Sequence, residues 1–253
     1  MSEILIHQEN SICYLTLNRP EKRNALDDAL VNSLKDALRE ADKDENLRAI
    51  VIRGAGRDFC SGADLSALQK ISESSALENW DDAHDLMELF ALIRKVKIPV
   101  IAAVHGRALA GGCGLATACD LVLASASARF GYPEVKIGFV PAMVMAILRR
   151  NVSEKRAFEL ATQGFEFDAE TAREFGLINR TFADETFADE VKNYASAYEK
   201  VSRSAVILSK RLLYQMDGLT FEAALASGVD VNTIARLTDD CRNGIAKFLN
   251  KEK

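Results

Sequence analysis

Several chemistries are missing from this chain of 253 residues. No stretch approaches the roughly 20 apolar residues needed to span a bilayer. The opening MSEILIHQENSICYLTLN alternates polar and apolar residues, without a basic start joined to an apolar run. A cytoplasmic protein with no membrane partner is the expectation. The five cysteines, Cys13, Cys60, Cys113, Cys119 and Cys241, are odd in number and lack the close paired spacing of a zinc site or disulfide framework. They read as ordinary buried thiols. The three histidines, His7, His84 and His105, are scattered with neither an HExxH pair nor Cys-His spacing, so no metal is expected. Gly54 and Gly56 lack the third glycine of a dinucleotide fingerprint, and no Walker-type Gly-Lys-Ser/Thr occurs. Neither NAD nor ATP is implied, and no cofactor is expected. A basic excess is missing too: 32 Lys and Arg against 37 Asp and Glu give a net charge of -5, which argues against nucleic acid. There is no internal sequence repeat and no low-complexity segment.

What is present is a hydrophobic content of 48%, enough for one large core or a core plus a small appendage. Ile12-Cys13-Tyr14-Leu15-Thr16-Leu17 alternates with period two and predicts a strand, with residues 4–6 as its hairpin neighbour across Glu9-Asn10. From Asp27, a residue suited to capping, Leu30, Val31, Leu34 and Leu38 recur at helical spacing, predicting a helix that ends near Asp44. Ala49-Ile50-Val51-Ile52 and Val100-Ile101-Ala102-Ala103-Val104 read as buried strands running into glycine turns at Gly54 and Gly106. Between them lies a polar, Ser-rich stretch to Ser75, then a long helix through Trp80, Leu86, Leu89 and Ile93, stopped before Pro99. Alternating strands and helices favour an α/β fold.

Further on, residues 110–116 read as a glycine-rich helix start, followed by a strand at Leu121-Val122-Leu123. Pro141 is placed to begin a helix running to Arg149, and residues 168–175 read as a short helix that Gly176 terminates. After residues 177–182 no strand is predicted; three or four amphipathic helices follow from Asp184, with a polar junction at Val201-Ser202-Arg203-Ser204. The division expected is a core over residues 1–195 and a helical part over residues 196–253.

The sharpest chemical signal is a pair of small-residue turns, Cys60-Ser61-Gly62-Ala63-Asp64-Leu65 and Ala110-Gly111-Gly112-Cys113-Gly114. Each follows an apolar strand and precedes a helix. Such turns leave backbone N–H groups available, and two that converge on one carbonyl oxygen form an oxyanion hole. Either turn alone reads more readily as an ordinary strand-to-helix junction.

Four blocks in order make the chain resemble the enoyl-CoA hydratase/isomerase, or crotonase, family over almost its whole length. They are Asn18-Arg19-Pro20-Glu21-Lys22-Arg23-Asn24-Ala25-Leu26, Phe59-Cys60-Ser61-Gly62-Ala63-Asp64-Leu65, Val104-His105-Gly106 through Asp120, and Phe130-Gly131-Tyr132-Pro133-Glu134. The resemblance implies a crotonase-type α/β spiral of repeated ββα units with a helical C-terminal trimerisation region, as a homotrimer or dimer of trimers. It implies an acyl-CoA thioester as substrate, coenzyme A being part of that substrate. The oxyanion donors it assigns are the N–H groups of Ala63 and Gly111, and the acid/base is Glu134, which Ile137, Phe139 and Val140 are expected to desolvate. By the same resemblance Lys22, Arg23 and Ala25 stand at the coenzyme A entrance, Ser61, Ala63, Asp64 and Leu65 flank adenine and pantetheine, and Lys251 arrives from a neighbouring subunit. Gly112 and Pro133 belong to the same substrate-contacting blocks.

Two positions depart from the family pattern. Gly114 stands where two-glutamate hydratases carry their second carboxylate, and the absence of a side chain implies room for a bulkier, branched or carboxylated acyl group such as methylglutaconyl. Ala142 stands where many hydratases have the glycine whose N–H holds the reacting water. Hydration of a 2-enoyl-CoA is the leading expectation. Isomerisation or decarboxylation by a single glutamate, and a non-catalytic acyl-CoA-binding or RNA-binding role, remain open alternatives.

Overall fold

The computed structural model describes residues 2–62 and 65–251. The chain starts with a hairpin of β1 (Ile4–Glu9) and β2 (Ile12–Leu17), in which Ile4 lies opposite Leu17 and Asn10, at φ 52°, makes the turn. Helix α1 (Asp28–Lys43) follows because the Asp27 carboxylate accepts the Leu30 N–H at 2.9 Å, satisfying one of the first-turn donors that a helix cannot pair internally. Next come β3 (Ala49–Gly54), α2 (Leu65–Glu73), α3 (Ala76–Lys95), β4 (Val100–Val104), β5 (Arg107–Leu109), α4 (Gly111–Ala118), β6 (Leu121–Ser125) and β7 (Arg129–Gly131). They are followed by α5 (Ala142–Asn151), α6 (Glu154–Gln163), β8 (Glu166–Asp168), α7 (Ala169–Glu174), β9 (Arg180–Phe182), α8 (Phe187–Ser196), α9 (Arg203–Gln215), α10 (Phe221–Leu237) and α11 (Asp239–Lys251).

The main sheet runs β1-β2-β3-β4-β6-β9, antiparallel at β1–β2 and parallel elsewhere. A smaller sheet, β5-β7-β8, lies beside it and is extended by a parallel bridge from Cys60 to Ala108. The backbone thus repeats one step three times: β3 then Cys60, β4 then β5, β6 then β7, each followed by a helix. This spiral carries no matching sequence repeat, because the units share geometry and differ in side chains. Both faces of the main sheet are covered, which is why its strands read as unbroken apolar runs. Leu15, Ile50 and Ile52 pack with Leu30, Leu34 and Leu38 of α1 and with Leu89 and Ile93 of α3. On the opposite face Tyr14, Val51, Ile101 and Leu123 pack with Phe187 and Val191 of α8.

Helix α9 is tied to this core by Lys210. Its buried Nζ donates to Ile93 O at 3.1 Å, Ile98 O at 3.0 Å and Asp120 Oδ2 at 2.6 Å, and Tyr214 OH donates to Asp120 Oδ1 at 2.6 Å. In α10 and α11, by contrast, Leu225, Val229, Leu237 and Phe248 are exposed. Among the described residues no helix is long and apolar enough to cross a membrane.

Several elements differ from the sequence expectation. Helix α2 falls in the stretch read as polar, and α6, capped by Ser153, was not anticipated. The three-residue strands β5, β7 and β8 are too short to display a period of two. Pro141 precedes α5 instead of beginning it, and the helix runs on to Asn151.

Candidate active site

The two small-residue loops are stitched together at their bases. Cys60 N donates to Arg107 O at 3.0 Å, and Leu109 N donates to Cys60 O at 3.0 Å. Gly112 must lack a side chain here, since a Cβ would run into the Cys60 carbonyl and lie 2.7 Å from its Sγ. Gly62, at φ 87°, has a hydrogen where a Cβ would sit 2.8 Å from Ala110 Cβ and 3.4 Å from Gly111 N. The Gly62 and Gly111 loops are therefore in contact.

Ala110 holds φ 49° and ψ -127°, a backbone state that favours glycine. Its N–H donates to Gly131 O at 2.9 Å, and its carbonyl accepts the first intrahelical bond of α4, from Gly114 N at 2.9 Å. The N–H of Gly111, first residue of α4, thus lies ahead of that helix's own ladder and at the positive end of its dipole. Strain at Ala110, of order 1–3 kcal/mol, sets the direction in which this N–H points. Sequence reading missed Ala110, because nothing in an alanine announces a positive φ. Ala63 and Asp64 lie outside the described residues; Leu65 is the first residue of α2.

Glu134 reaches the site from strand β7 through a short 3-10 helix, Pro133–Ile137, that ends at Gly138 with φ 75°. The Glu134 carbonyl accepts from the N–H groups of Gly138 and of Phe139, the latter at 3.1 Å, which pins its backbone. The side chain is half-buried, and its Oε2 is buried with no hydrogen-bond partner among the described residues. Burial pushes the carboxyl pKa above its usual value, since desolvation penalises the charged form. Ile137, Phe139 and Val140, expected to desolvate it, are themselves exposed. The groups that feel the Glu134 charge are Cys113 and Tyr132, both wholly buried. The Tyr132 hydroxyl meets Thr117 Oγ1 at 3.4 Å beneath them.

Gly114 corrects a second expectation. The volume its absent side chain would fill is not free: a Cβ there would lie 2.6 Å from Val144 Cγ2 and 3.2 Å from Phe90 Cζ. Neither a second acid nor extra acyl volume exists at this point. Ala142 also differs from its expected role. It is exposed, and its N–H already donates to Val140 O at 2.8 Å across Pro141, so it does not stand ready to hold a water.

The segment over residues 22–26 is bound to the first loop, with Ser61 N donating to Arg23 O at 3.1 Å and Leu26 N to Gly62 O at 2.7 Å. Arg23 and Asn24 both take left-handed φ values, 54° and 53°. Buried Asn24 makes this possible: its Nδ2 donates to Ala55 O at 2.9 Å and Asp58 O at 2.7 Å, and its Oδ1 accepts from Arg19 N at 2.9 Å. Arg19 Nη1 donates to Ala25 O at 2.6 Å and Nη2 pairs with Asp27 at 2.7 Å. Lys22 and Arg23 are thereby presented to solvent beside the first loop, while Ala25 is buried. Lys251 is the last residue of α11, and its side chain lies outside the description.

The family model described as enoyl-CoA hydratase/isomerase matches residues 7–253. A Thermus thermophilus relative, provisionally named an enoyl-CoA hydratase, is 38% identical over 244 residues, covering 96% of each chain. The 2,3-dehydroadipyl-CoA hydratase of Escherichia coli is 34% identical, over 99% of this chain and 97% of its own. The crystal structure of enoyl-CoA hydratase from Mycobacterium smegmatis superposes with a TM-score of 0.94 at 32% identity, covering 98% of this chain and 96% of that one.

Proposed function

Since this chain belongs to the enoyl-CoA hydratase/isomerase family, we propose that it binds an enoyl-CoA and stabilises its enolate, with Glu134 as the lone acid/base. The thioester oxygen gains charge as the α-carbon loses a proton. Donors at the N–H groups of Gly111 and Ala63 then act mainly on that developing charge, at about 3–4 kcal/mol each. The single observation that carries the reading is Glu134 Oε2, buried and without a partner among the described residues, on a carboxyl whose pKa burial has raised. A base so placed supplies roughly 10²–10⁴ in rate.

The reaction this site supports best is isomerisation of a 3-enoyl-CoA to the conjugated 2-enoyl-CoA. Glu134 takes a proton from Cα, the electron pair delocalises into a dienolate whose oxygen the two N–H groups hold, and Glu134 returns a proton to Cγ. One carboxylate suffices. The closed wall at Gly114 and the occupied Ala142 N–H favour this order over hydration, which needs a group to activate water and another to protonate Cα. Hydration of a 2-enoyl-CoA is the second reading, favoured by the hydratase names of the relatives. Leu26 and Leu86, 3.3 Å and 4.0 Å from where a Gly111 Cβ would be, favour an apolar acyl chain over a carboxylated one.

Lys22 and Arg23 suit the coenzyme A phosphates, with Ser61, Asp64 and Leu65 along the adenine and pantetheine and Lys251 supplied by a second copy. No separate cofactor is needed. The exposed apolar residues of α10 and α11 support assembly into a trimer or dimer of trimers. Incubation with a 3-enoyl-CoA and, separately, crotonyl-CoA tests the reaction by the absorbance of the conjugated thioester. A rise from the first marks isomerisation and a fall from the second marks hydration. No change with either would sink the catalytic reading.

A further inference from the structure

Three helices meet at Gly114. It lies inside α4, faces buried Val144 of α5, and is backed by the ring of buried Phe90 from α3. We infer that Val144, backed by Phe90, is a specificity-determining residue that keeps a second acid out of this site and so fixes which reaction it runs. This rests on the enolate reading above and extends it from the acid that is missing to the residue that replaces it.

The physical case is steric. Carbon atoms approach favourably at about 3.5–4.0 Å, whereas any side chain at residue 114 would start 2.6 Å from Val144 Cγ2. Such a contact is relieved cheaply when the obstructing atom ends a flexible chain. Val144 is not of that kind, because a β-branched residue in a helix is held to one strongly preferred χ1, and Phe90 Cζ, 3.2 Å from the same point, crowds it further. Gly114 and Val144 are therefore a matched pair: one gives up its side chain and the other fills the space. Restoring the acid at residue 114 alone cannot restore two-carboxylate chemistry, since its first carbon has nowhere to go. Truncating Val144 first makes room. The introduced carboxylate can then take a proton from water as the water oxygen bonds Cβ, while Glu134 delivers a proton to Cα. One water is added across the double bond, and the starting protonation is restored when the introduced carboxylate gives its proton to solvent and Glu134 takes one back.

The test compares wild type with Gly114→Ala, Gly114→Glu, Val144→Ala and the two double variants. It reads thermal midpoints, crotonyl-CoA hydration and 3-enoyl-CoA isomerisation. Overpacking at Gly114→Ala should lower Tm by roughly 2–10 °C, and Val144→Ala in the same chain should restore most of that loss. Gly114→Glu with Val144→Ala should hydrate crotonyl-CoA at least about tenfold faster than Gly114→Glu alone, a modest part of what a placed acid/base supplies. The inference is overturned if Gly114→Ala leaves Tm unchanged, if the Tm losses of the singles simply add, or if the folded Glu double variant gains no hydration over the single. The midpoints need no substrate, so a wild type that turns over nothing would sink the enolate reading while the Gly114–Val144 coupling is still decided.

Discussion

Replacing Ala110 by glycine separates the strain at the oxyanion loop from its purpose. The residue holds φ 49° and ψ -127° while its N–H and C=O are both hydrogen-bonded, to Gly131 O and Gly114 N, so the fold enforces the conformation from both sides. Such a state stores of order 1–3 kcal/mol in a residue with a Cβ. Glycine adopts it freely but has more freedom to lose from the unfolded chain, which takes back about 0.4–1 kcal/mol. The net stabilisation centres on about 1–2 kcal/mol, or a Tm rise of about 2–8 °C for a chain of this size. Turnover should move the opposite way. Residues 110–112 would become three consecutive glycines, and the Gly111 N–H would be aimed less firmly at the thioester oxygen. A tenfold fall in kcat corresponds to about 1.4 kcal/mol, a fraction of what a whole oxyanion donor contributes. Thermal denaturation and a 3-enoyl-CoA assay read the two effects on one preparation. A Tm that falls or stays level would refute the strain argument, and a raised Tm with undiminished kcat would detach the strain from catalysis.

The raised Glu134 pKa fixes a pH dependence. The base must be ionised to take the α-proton, so kcat/KM should fall as pH drops through a limb above the ordinary glutamate value of 4.5; a limb at or below it would contradict the burial argument. The sign for stability is opposite. A carboxyl whose folded pKa is raised favours its protonated form in the fold, so Glu134→Gln should raise Tm at neutral pH, with the gain disappearing at acid pH; a lower Tm at neutral pH would show a partner for the charge. Lys210→Met leaves the largely buried Asp120 carboxylate with its cationic partner gone, at up to about 3–5 kcal/mol, and thermal unfolding should register the loss. An unchanged midpoint would mean that α9 is held by packing alone.

The long elements were legible because their signals are redundant. Asp27 with Leu30, Val31, Leu34 and Leu38 specifies α1 twice, by cap and by period. The doubly covered sheet left unbroken apolar runs at residues 49–52 and 100–104. Strands β5, β7 and β8 were not legible, since three residues carry no period and their pairing depends on segments far along the chain. At the site, the glycines of residues 111–114 pointed to bare backbone correctly, but a glycine does not say what fills its space. Gly114 read alone suggests room, and only the packing of Val144 and Phe90 reveals a wall. Likewise the apolar residues nearest Glu134 in sequence, Ile137, Phe139 and Val140, form no buried shell: all three side chains are exposed, although the Phe139 N–H bonds the Glu134 carbonyl.

Hydrogen exchange at the α-carbon tests the central claim most directly, because it isolates enolate formation from whichever reaction follows. A saturated acyl-CoA incubated with the protein in D₂O, with deuterium at Cα followed by NMR, has only this step available. The account predicts exchange with wild type and a loss of at least about 10²-fold in Glu134→Gln, at nearly unaltered affinity for the acyl-CoA. Exchange undiminished in Glu134→Gln, or absent in a wild type that binds the acyl-CoA, would contradict it.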